Sequence, residues 1–350
     1  LFPYTTLFRS DARPDQGIGC FVERYVFFNI IALEFLHKEF PAGDFRELPS
    51  YEIRYPVHGN LLLMVFAQTW RVVRGIRRER KIVEAWCRTE RFELIIADHR
   101  FGCRSSFVRS VFIGHQLSFP VGGWWKPFSG IINRIHWSMI SGFDTIWVPD
   151  YPDRRLSGDL SRADLRTIEF IGPLSRLRRP LKFSSRRYCV VAVVSGPDPM
   201  RRHFVEQVAQ QLEALDEPTL LITGEPGNQS GPEHRGKLEI LPHLDSDSFS
   251  EVLLSAGHVL SRSGYSSLMD YAVLGIKPWL VPTPGQPEQE YLASRLSNEH
   301  IAPFQQQHVL SVNELLKDQR PWTGFSPETS GRLLDDVFDR EPALKRFQDD

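Results

Sequence analysis

Short apolar runs that end in polar residues recur through the first half of the chain. FELIIADHR, SVFIGHQLSF and GFDTIWVPD are three such runs, with Asp98, His115 and Asp150 near their carboxyl ends. Strands that are apolar throughout are typical of a parallel sheet covered on both faces. Because ligands bind at the carboxyl ends of such strands, the pattern predicts that these three residues lie at a ligand-binding edge. Helices are predicted for Ala32–Phe40, which ends before a proline, and for Leu61–Glu90.

The same alternation starts again after a basic, proline-containing stretch, SRLRRPLKFSSRR, at Ser175–Arg187. The runs RYCVVAVVSG, TLLITG, LEILPHL, HVLSR and KPWLVPTPG predict strands. The apolar spacing around them predicts helices at Arg201–Leu215, from about Ser248, at Tyr265–Leu274 and at Glu288–Ser297. Strands that alternate with helices form βαβ units and a parallel sheet. The sequence therefore predicts two Rossmann-like α/β domains in tandem, with parallel sheets facing a cleft.

The length and charge of the chain narrow the classes of protein to which it can belong. Its 350 residues suffice for two α/β domains, and its formal net charge of −1 argues against a nucleic-acid partner. The four cysteines, Cys20, Cys87, Cys103 and Cys189, include no closely spaced pair, so neither a zinc site nor a disulfide framework is predicted. Reduced thiols fit a cytoplasmic protein, and no stretch reaches the length of a transmembrane helix.

Two stretches of the first half are candidates for a peripheral membrane contact. One is strongly basic and contains Arg71, Arg74, Arg77, Arg78, Arg80, Lys81, Arg88 and Arg91. This stretch is either a solvated helix face or a face that rests on anionic lipid or meets a phosphorylated acceptor. The other begins at Gly122–Phe128 and continues to Trp137. Its aromatic and basic residues suit a membrane interface or a hydrophobic acceptor, and a core helix is the alternative.

The segment Leu260–Ala293 carries the strongest chemical signal. Ser263 and Gly264 follow a strand and open a helix, where backbone amides and the helix dipole favour a phosphate. Asp270, within that helix, suits hydrogen bonds from ribose hydroxyls. After the next strand, a turn with Gly285 leads to a helix start, EQE, whose carboxylate and amide side chains suit sugar hydroxyls. Each residue alone has an ordinary structural explanation, but the ordered combination is much more specific.

In this order the motifs resemble the C-terminal domain of glycosyltransferase family 28, whose members have the GT-B fold. The resemblance implies that Ser263 and Gly264 hold the diphosphate of a nucleotide-sugar donor and that Asp270 holds its ribose. It also implies that Gln289 with Glu290 contacts the sugar. Two positions depart from the family pattern. The helix acid is Asp270 where the family has glutamate, and Glu290 stands where the family has a second glutamine, which leaves the identity of the sugar open.

Motifs outside this segment are similar to a further bacterial branch of these transferases. They are Asp98–Gly102, His115-Gln116, Trp147–Asp150, Ile171–Ser175 and Ser195-Gly196-Pro197. From them we expect Asp98 and His115 on the acceptor side as candidates for the general base. A strand-end histidine bonded to nearby backbone is the alternative for His115. Ser195 and Gly196 are expected near the donor, and Asp198 as the cap of the following helix.

The complete set of predicted donor-binding residues lies in the second half of the chain. It comprises Ser195, Gly196, Arg262, Ser263, Gly264, Tyr265, Ser266, Asp270, Gly285, Glu288, Gln289 and Glu290. No metal ligand is predicted. Asp245-Ser246-Asp247 has the D-x-D pattern of some metal sites, but it lies just before a helix, where Asp and Ser act as caps.

The resemblance also assigns a role to each part of the chain. Residues 32–175 are expected to form the acceptor-side domain, 176–187 the linker, 188–325 the nucleotide-sugar-binding domain and 326–350 a C-terminal helical segment. The implied activity is an inverting, metal-independent and cofactor-free transfer of a hexose or N-acetylhexosamine from a UDP-sugar to an acceptor hydroxyl, including a lipid-linked one. A sugar-nucleotide epimerase of similar fold and a non-catalytic donor-binding protein stay open as alternatives.

Residues 1–31 are left out of the fold prediction. LFPYTTLFRS is similar to a translated sequencing adapter, and the stretch that follows, up to Asn29, lacks the strand, Gly-rich loop and helix with which the family begins. Loss of a strand would expose unpaired backbone and apolar surface. We therefore expect a chain with this beginning to bind donor, to fold poorly in its first domain and to transfer sugar badly.

Overall fold

The chain divides into two compact units. The structure, a computed structural model, describes residues 5–9, 23–28, 44–48, 61–90, 92–119, 129–180, 186–225, 228, 230–326 and 336–337. The first unit comprises Leu1–Pro149, Leu160–Ile171 and Leu334–Asp350, and the second comprises Asp150–Asp159 and Gly172–Leu333. The second unit thus begins a few residues before the expected linker. It also includes Asp150–Asp159, which we had expected in the first domain.

The first unit contains one seven-stranded sheet. Its strands are β1 (Thr5–Arg9), β2 (Glu23–Phe28), β3 (Asp44–Glu47), β4 (Leu94–Asp98), β5 (Arg109–Ile113), β6 (Thr145–Val148) and β7 (Ile168–Phe170). They lie in the order β3-β2-β1-β4-β5-β6-β7. Among the described residues of this unit, two segments are α-helical, α1 (Leu61–Thr89) and α2 (Ser129–Ile140). The strands predicted before Asp98, His115 and Asp150 and the helix predicted for Leu61–Glu90 are confirmed.

One strand of this sheet runs against the others. β2 pairs with β3 in parallel, and β4 to β7 pair successively in parallel. β1 is antiparallel to both of its neighbours, and its Thr5 is the register partner of Phe27 and of Ala97. The residues left out of the prediction therefore supply two strands, one of them in the middle of the sheet. An antiparallel strand needs no crossover helix, so the missing strand–loop–helix pattern does not prevent its pairing.

The second unit contains a six-stranded sheet in the order β10-β11-β9-β8-β12-β13. The strands are β8 (Tyr188–Val193), β9 (Thr219–Ile222), β10 (Glu233–Arg235), β11 (Leu238–Leu241), β12 (Ala256–Ser261) and β13 (Pro278–Leu280). All pairs are parallel except that of the edge strand β10 with β11. The helices are α3 (Met200–Glu213), α4 (Ser246–Leu254), α5 (Tyr265–Leu274), α6 (Pro287–Asn298) and α7 (Val312–Lys317). These elements confirm the predicted alternation.

Short 3₁₀ turns at Gly158–Ser161 and Gln307–Val309 complete the described elements. The predicted helix at Ala32–Phe40 and the aromatic stretch Gly122–Phe128 lie outside the described residues. So does the helical segment predicted near the C-terminus, apart from residues 336–337, which are helical. Among the helices that the structure describes, none has the length and apolar character that a membrane span requires.

Candidate functional site

Two adjacent strands of the second sheet, β8 and β12, bring several of the predicted donor residues to one edge. From β8 the chain adds β9 and β11 on one side, and it then returns to add β12 and β13 on the other. The point where the direction reverses is where open α/β sheets bind their ligands. Val193 of β8 and Ser261 of β12 are register partners, so Ser195-Gly196 and Ser263-Gly264 follow from adjacent strand ends.

The start of α5 is open and carries no side-chain cap. Gly264 is its N-cap residue, with φ −69° and ψ 141°, and a Cβ placed there would meet no heavy atom within 4 Å. Gly196, on the other side of the crevice, has φ +113° and equally open space. The first amides of a helix have no partner within the helix, and the dipole makes that end positive. This end of α5 is therefore suited to an anion such as a diphosphate.

Asp270 lies on the less buried side of α5, one turn beyond Ser266. Its Oδ1 accepts a hydrogen bond of 2.5 Å from the Ser175 hydroxyl, which in turn accepts one of 3.0 Å from the Leu177 amide. Among the described residues, none donates to its Oδ2. Burial raises the pKa of Asp270 to about 6, against the opposite effects of Ser175 and Arg176. A ligand along this side of the helix would meet the amides first and then a carboxylate acceptor.

Replacing Asp270 with asparagine should stabilise the fold at high pH. A folded-state pKa of about 6 lies above the ordinary 3.8, so the wild type binds a proton more tightly when folded and loses stability as the pH rises between these values. The variant lacks this loss and keeps an oxygen for Ser175. We expect it to be more stable than the wild type by about 1–3 kcal/mol at pH 8 and equal to it near pH 4.

Chemical denaturation at both pH values measures this difference, and the exposed Asp164→Asn serves as the control. Its stability difference from the wild type should not change with pH. A difference for Asp270→Asn that is the same at both pH values would contradict the prediction.

The loop after β13 is held beside α5 by side chains that we had predicted to contact sugar. Ser263 donates its hydroxyl to the carbonyl of Gln289 at 2.8 Å. The side-chain oxygen of Gln289 accepts from the Thr283 amide at 2.9 Å, and that of Glu290 accepts from the Gly285 amide at 3.0 Å. These bonds fix the loop and the start of α6. A contact of Gln289 or Glu290 with a sugar stays a prediction, and the structure adds that both order the loop.

Tyr265 and Asp150 form a buried cluster. Asp150 accepts hydrogen bonds from the amides of Tyr151, Leu156 and Ser157 and from the Ser157 hydroxyl. Burial raises the pKa of Tyr265, which the nearby Asp150 and Glu288 carboxylates raise further. The expectation that Asp150 lies at a ligand-binding edge is therefore wrong, because its carboxylate closes the turn that follows β6. The side chain of Tyr265 is likewise buried, and its predicted contact with the donor stays a prediction.

Arg262, predicted to contact the donor, makes internal contacts, and its contact with the donor stays a prediction. Its side chain is buried, and the guanidinium lies 3.5 Å from the centre of the Phe204 ring. It donates to the carbonyls of Val281 and Pro282 at 3.2 and 3.1 Å and to the Gln307 side chain at 2.8 Å. Burial lowers its pKa to about 10. This enclosed charge ties the ends of β12 and β13 together.

The two predicted helix caps have different outcomes. Asp245 caps α4, with its side chain accepting from the amides of Asp247 and Ser248, as predicted. The N-cap position of α3 is Pro199 and has no side-chain cap. The carboxylate of Asp198 instead binds Arg201 and Arg202 at 2.9 and 3.2 Å. The capping role of Asp198 is therefore wrong, because the two arginines one turn into the helix compete for its carboxylate.

In the first unit, the predicted pair of Asp98 and His115 belongs to a larger group of polar side chains. The Nδ1 atom of His99 lies 2.7 Å from Oδ1 of Asp98, and the His99 ring centre lies 5.3 Å from that of His115. His99 is 30% exposed in its side chain, whereas His115 is only 4% exposed. His99 has φ +52°, an uncommon value for a residue with a side chain. His99 was missed, although its place next to Asp98 at a strand end could have indicated it.

Buried polar contacts hold the loop that carries His99. Arg100 donates its Nε to Glu79 of α1, and the Gly102 amide donates to the same carboxylate at 3.0 Å. The Nε2 atom of His136, in α2, lies 3.1 Å from the carbonyl oxygen of Gln116, and burial lowers the pKa of His136 to about 4. The Asp98–His99 pair on this fixed loop can accept a proton, because the carboxylate accepts a hydrogen bond from Nδ1–H and leaves Nε2 free to act as the base.

The fold is shared with solved glycosyltransferases. The glycosyltransferase of kitacinnamycin matches with a TM-score of 0.60 at 14% identity, over 91% of this chain and 88% of that chain. MurG from Acinetobacter baumannii matches with a TM-score of 0.50 at 12% identity, over 89% and 90%. The spinosyn rhamnosyltransferase SpnG, solved with thymidine diphosphate, matches with a TM-score of 0.50 at 15% identity, over 91% and 90%.

The sequence itself gives no comparable match. No protein-family model and no curated protein matches it. The similarity to the solved glycosyltransferases is therefore one of fold. It covers both Rossmann-like units and about nine tenths of the chain. The chain therefore has the GT-B fold of the glycosyltransferases, as the motifs of its second half predicted.

Proposed function

We propose that the protein transfers a hexose or N-acetylhexosamine from a UDP-sugar to an acceptor hydroxyl, with inversion and without a metal. The GT-B fold supports sugar transfer in general. The observation that carries the proposal is the open, uncapped start of α5 at the crevice between β8 and β12, with Asp270 along the same side of the helix. A diphosphate would take the helix start and a ribose hydroxyl would take Asp270. The complex of SpnG with thymidine diphosphate supports a nucleotide diphosphate as the ligand class.

The leaving diphosphate needs charge stabilisation as its bond to the sugar breaks. The amides around Gly264 and the positive end of the α5 dipole supply fixed donors for that charge. Ser195 and Gly196 approach from the adjacent strand end. This set of donors is the reason for proposing a metal-independent reaction.

We assign deprotonation of the acceptor to His99 of the first unit. As the acceptor oxygen forms its bond to the anomeric carbon, its proton passes to Nε2 of His99 while the bond to the diphosphate breaks. Asp98 accepts a hydrogen bond from Nδ1–H and stabilises the imidazolium that forms. A single displacement of this kind inverts the configuration at the anomeric carbon.

A cytoplasmic location is proposed on chemical grounds. Cys87, Cys103 and Cys189 are free thiols, and burial raises the pKa of Cys87 and Cys189. Buried free thiols are the usual state of cysteine in reducing compartments.

Gly264→Val and Asp270→Ala should each weaken the binding of UDP measured by calorimetry. The backbone of Gly264 suits any residue and the space beside it is open, so valine would fill the place of the diphosphate without straining the fold. We expect a loss of about tenfold or more for Gly264→Val. Loss of the charged hydrogen-bond acceptor at Asp270 should weaken the binding of UDP by about 10- to 100-fold.

Gly231→Val is the matched control, since a Cβ there also meets no heavy atom within 4 Å. Gly231 precedes the edge strand β10, which β11 and β9 separate from the crevice between β8 and β12. It should bind UDP like the wild type. Unchanged affinity in both Gly264→Val and Asp270→Ala would show that the donor binds elsewhere. Incubation with labelled UDP-sugar and a cell-extract pool of acceptors then tests the reaction. Labelled acceptor together with free UDP supports transfer, whereas an epimerised UDP-sugar without free UDP contradicts it.

A further inference from the structure

The outward side of α1 is a continuous basic stripe. Six exposed cationic residues form it: Arg71, Arg74, Arg77, Arg78, Lys81 and Arg88. At about 100° per residue they fall within an arc of roughly 120°, and they extend over about 25 Å of helix. The fully buried Glu79 and Val83 lie on the opposite side of the helix. No acidic residue is exposed between Trp70 and Glu90.

The basic stripe lacks the acidic partners that several exposed arginines elsewhere in the described chain have. Among the described residues, no carboxylate forms an ion pair with any of its six members. Elsewhere, Arg202 binds Asp198, Arg235 binds Glu233 and Arg320 binds Asp318, at 3.2, 2.7 and 2.7 Å. Even on α1, the half-buried Arg80 is paired with Glu84. Six like charges along one helix repel one another unless an anionic surface lies opposite them.

The helix that carries the basic stripe, α1, lies on the same face of the first sheet as α2. Ala97, Phe112 and Ile146 are successive register partners and so share one face of the sheet. Val83 of α1 and Ile140 of α2 pack into the same cluster as these three. Both helices therefore cover one face of the sheet, and their outward sides form one surface.

That outer surface carries four large exposed apolar residues beside the charges. Trp70 stands next to the start of the stripe and is 67% exposed, and Phe107 lies under the Arg88 guanidinium. On α2, Ile131 and Ile135 are 61% and 53% exposed. Large apolar side chains next to unpaired cations are typical of proteins that lie on lipid, where the rings and chains enter the interface and the charges meet headgroups.

We propose that the outward sides of α1 and α2 dock on a bilayer that contains anionic lipids. The unpaired charges supply the attraction to the headgroups, and the four apolar side chains supply insertion. A nucleic acid would use the cations alone and would leave the exposed isoleucines of α2 without a role. This inference is independent of the proposed transfer reaction, because it involves none of the residues assigned to the donor or to the base.

Co-sedimentation of the full chain with vesicles tests the proposal. Vesicles of phosphatidylcholine with phosphatidylglycerol should bind the protein, and vesicles of phosphatidylcholine alone should not. The variant Arg74→Gln/Arg77→Gln/Lys81→Gln should bind the anionic vesicles about a hundredfold more weakly. Ile131→Gln/Ile135→Gln should also weaken binding while leaving the charge unchanged. Raised salt should release the wild type, since exposed charges are screened.

The matched control is Arg202→Gln/Arg235→Gln/Arg320→Gln, which removes the same net charge from exposed arginines that have acidic partners. It should bind anionic vesicles as the wild type does. Equal weakening in both triple variants would overturn the proposal, because only net charge would then matter. Equal binding to neutral and anionic vesicles would overturn it too, and so would tighter binding to duplex DNA than to anionic vesicles.

Discussion

Replacing His99 with alanine should lower kcat for sugar transfer by about 100- to 10,000-fold, the usual contribution of a positioned general base. The affinity for UDP should stay unchanged, because His99 belongs to the first unit and the proposed donor site to the second. His99 has the features that a base requires, namely a carboxylate at 2.7 Å from Nδ1 and a partly exposed ring. Steady-state transfer assays and calorimetry with UDP measure the two quantities separately.

Two further variants decide which histidine acts. Asp98→Asn should also lower kcat, since an amide at this position no longer holds the imidazole in the form that leaves Nε2 free. His115→Ala should have the smaller effect, because its ring is buried behind His99 in the same group. A full loss of kcat in His115→Ala combined with normal kcat in His99→Ala would reverse the assignment and return it to one of the two candidates from the sequence.

The alternation of strands and helices could be predicted because it depends on local periodicity. The helix at Tyr265–Leu274 was predicted with the bounds that the structure gives. β1 was not predicted, because its residues were left out of the fold prediction. An antiparallel strand inside a mostly parallel sheet also breaks the βαβ rule on which the prediction relied. The place of Asp150–Asp159 depends on hydrogen bonds within a turn and on packing against Tyr265, and neither leaves a periodic signal.

The candidate site was predicted in part, for a related reason. A Ser-Gly pair after an apolar strand indicates an open helix start, and Gly264 stands at one. Whether a polar residue at a strand end faces the ligand or the interior is decided by its packing partners. Arg262 turns inward because Phe204 and two carbonyls receive its charge. His99 was missed because its positive φ breaks the alternation by which strand residues are assigned to faces.

Replacing Glu79 with glutamine should destabilise the first unit by about 3–5 kcal/mol. Glu79 is fully buried, and its carboxylate binds both Arg100 and the Gly102 amide. The variant would leave a buried guanidinium without its nearest carboxylate, and removing one partner of a buried pair costs far more than the pair contributes. The double variant Glu79→Leu/Arg100→Met should recover much of the stability, since no buried charge then remains. Denaturant unfolding of Glu79→Gln measures the loss, and that of Glu79→Leu, Arg100→Met and the double variant measures the coupling.

Glu90 offers the matched control on the same helix region. It forms a bidentate pair with Arg46, with nitrogen–oxygen distances of 2.6 and 3.0 Å, but both side chains are partly exposed. Glu90→Gln should therefore cost no more than about 1 kcal/mol. Because Arg100 and Gly102 lie in the loop that carries His99, Glu79→Gln should also lower kcat under conditions where the variant is still folded, and Glu90→Gln should not. Equal destabilisation by the two substitutions, or a double variant as unstable as Glu79→Gln, would show that burial of the Glu79–Arg100 pair does not hold this loop.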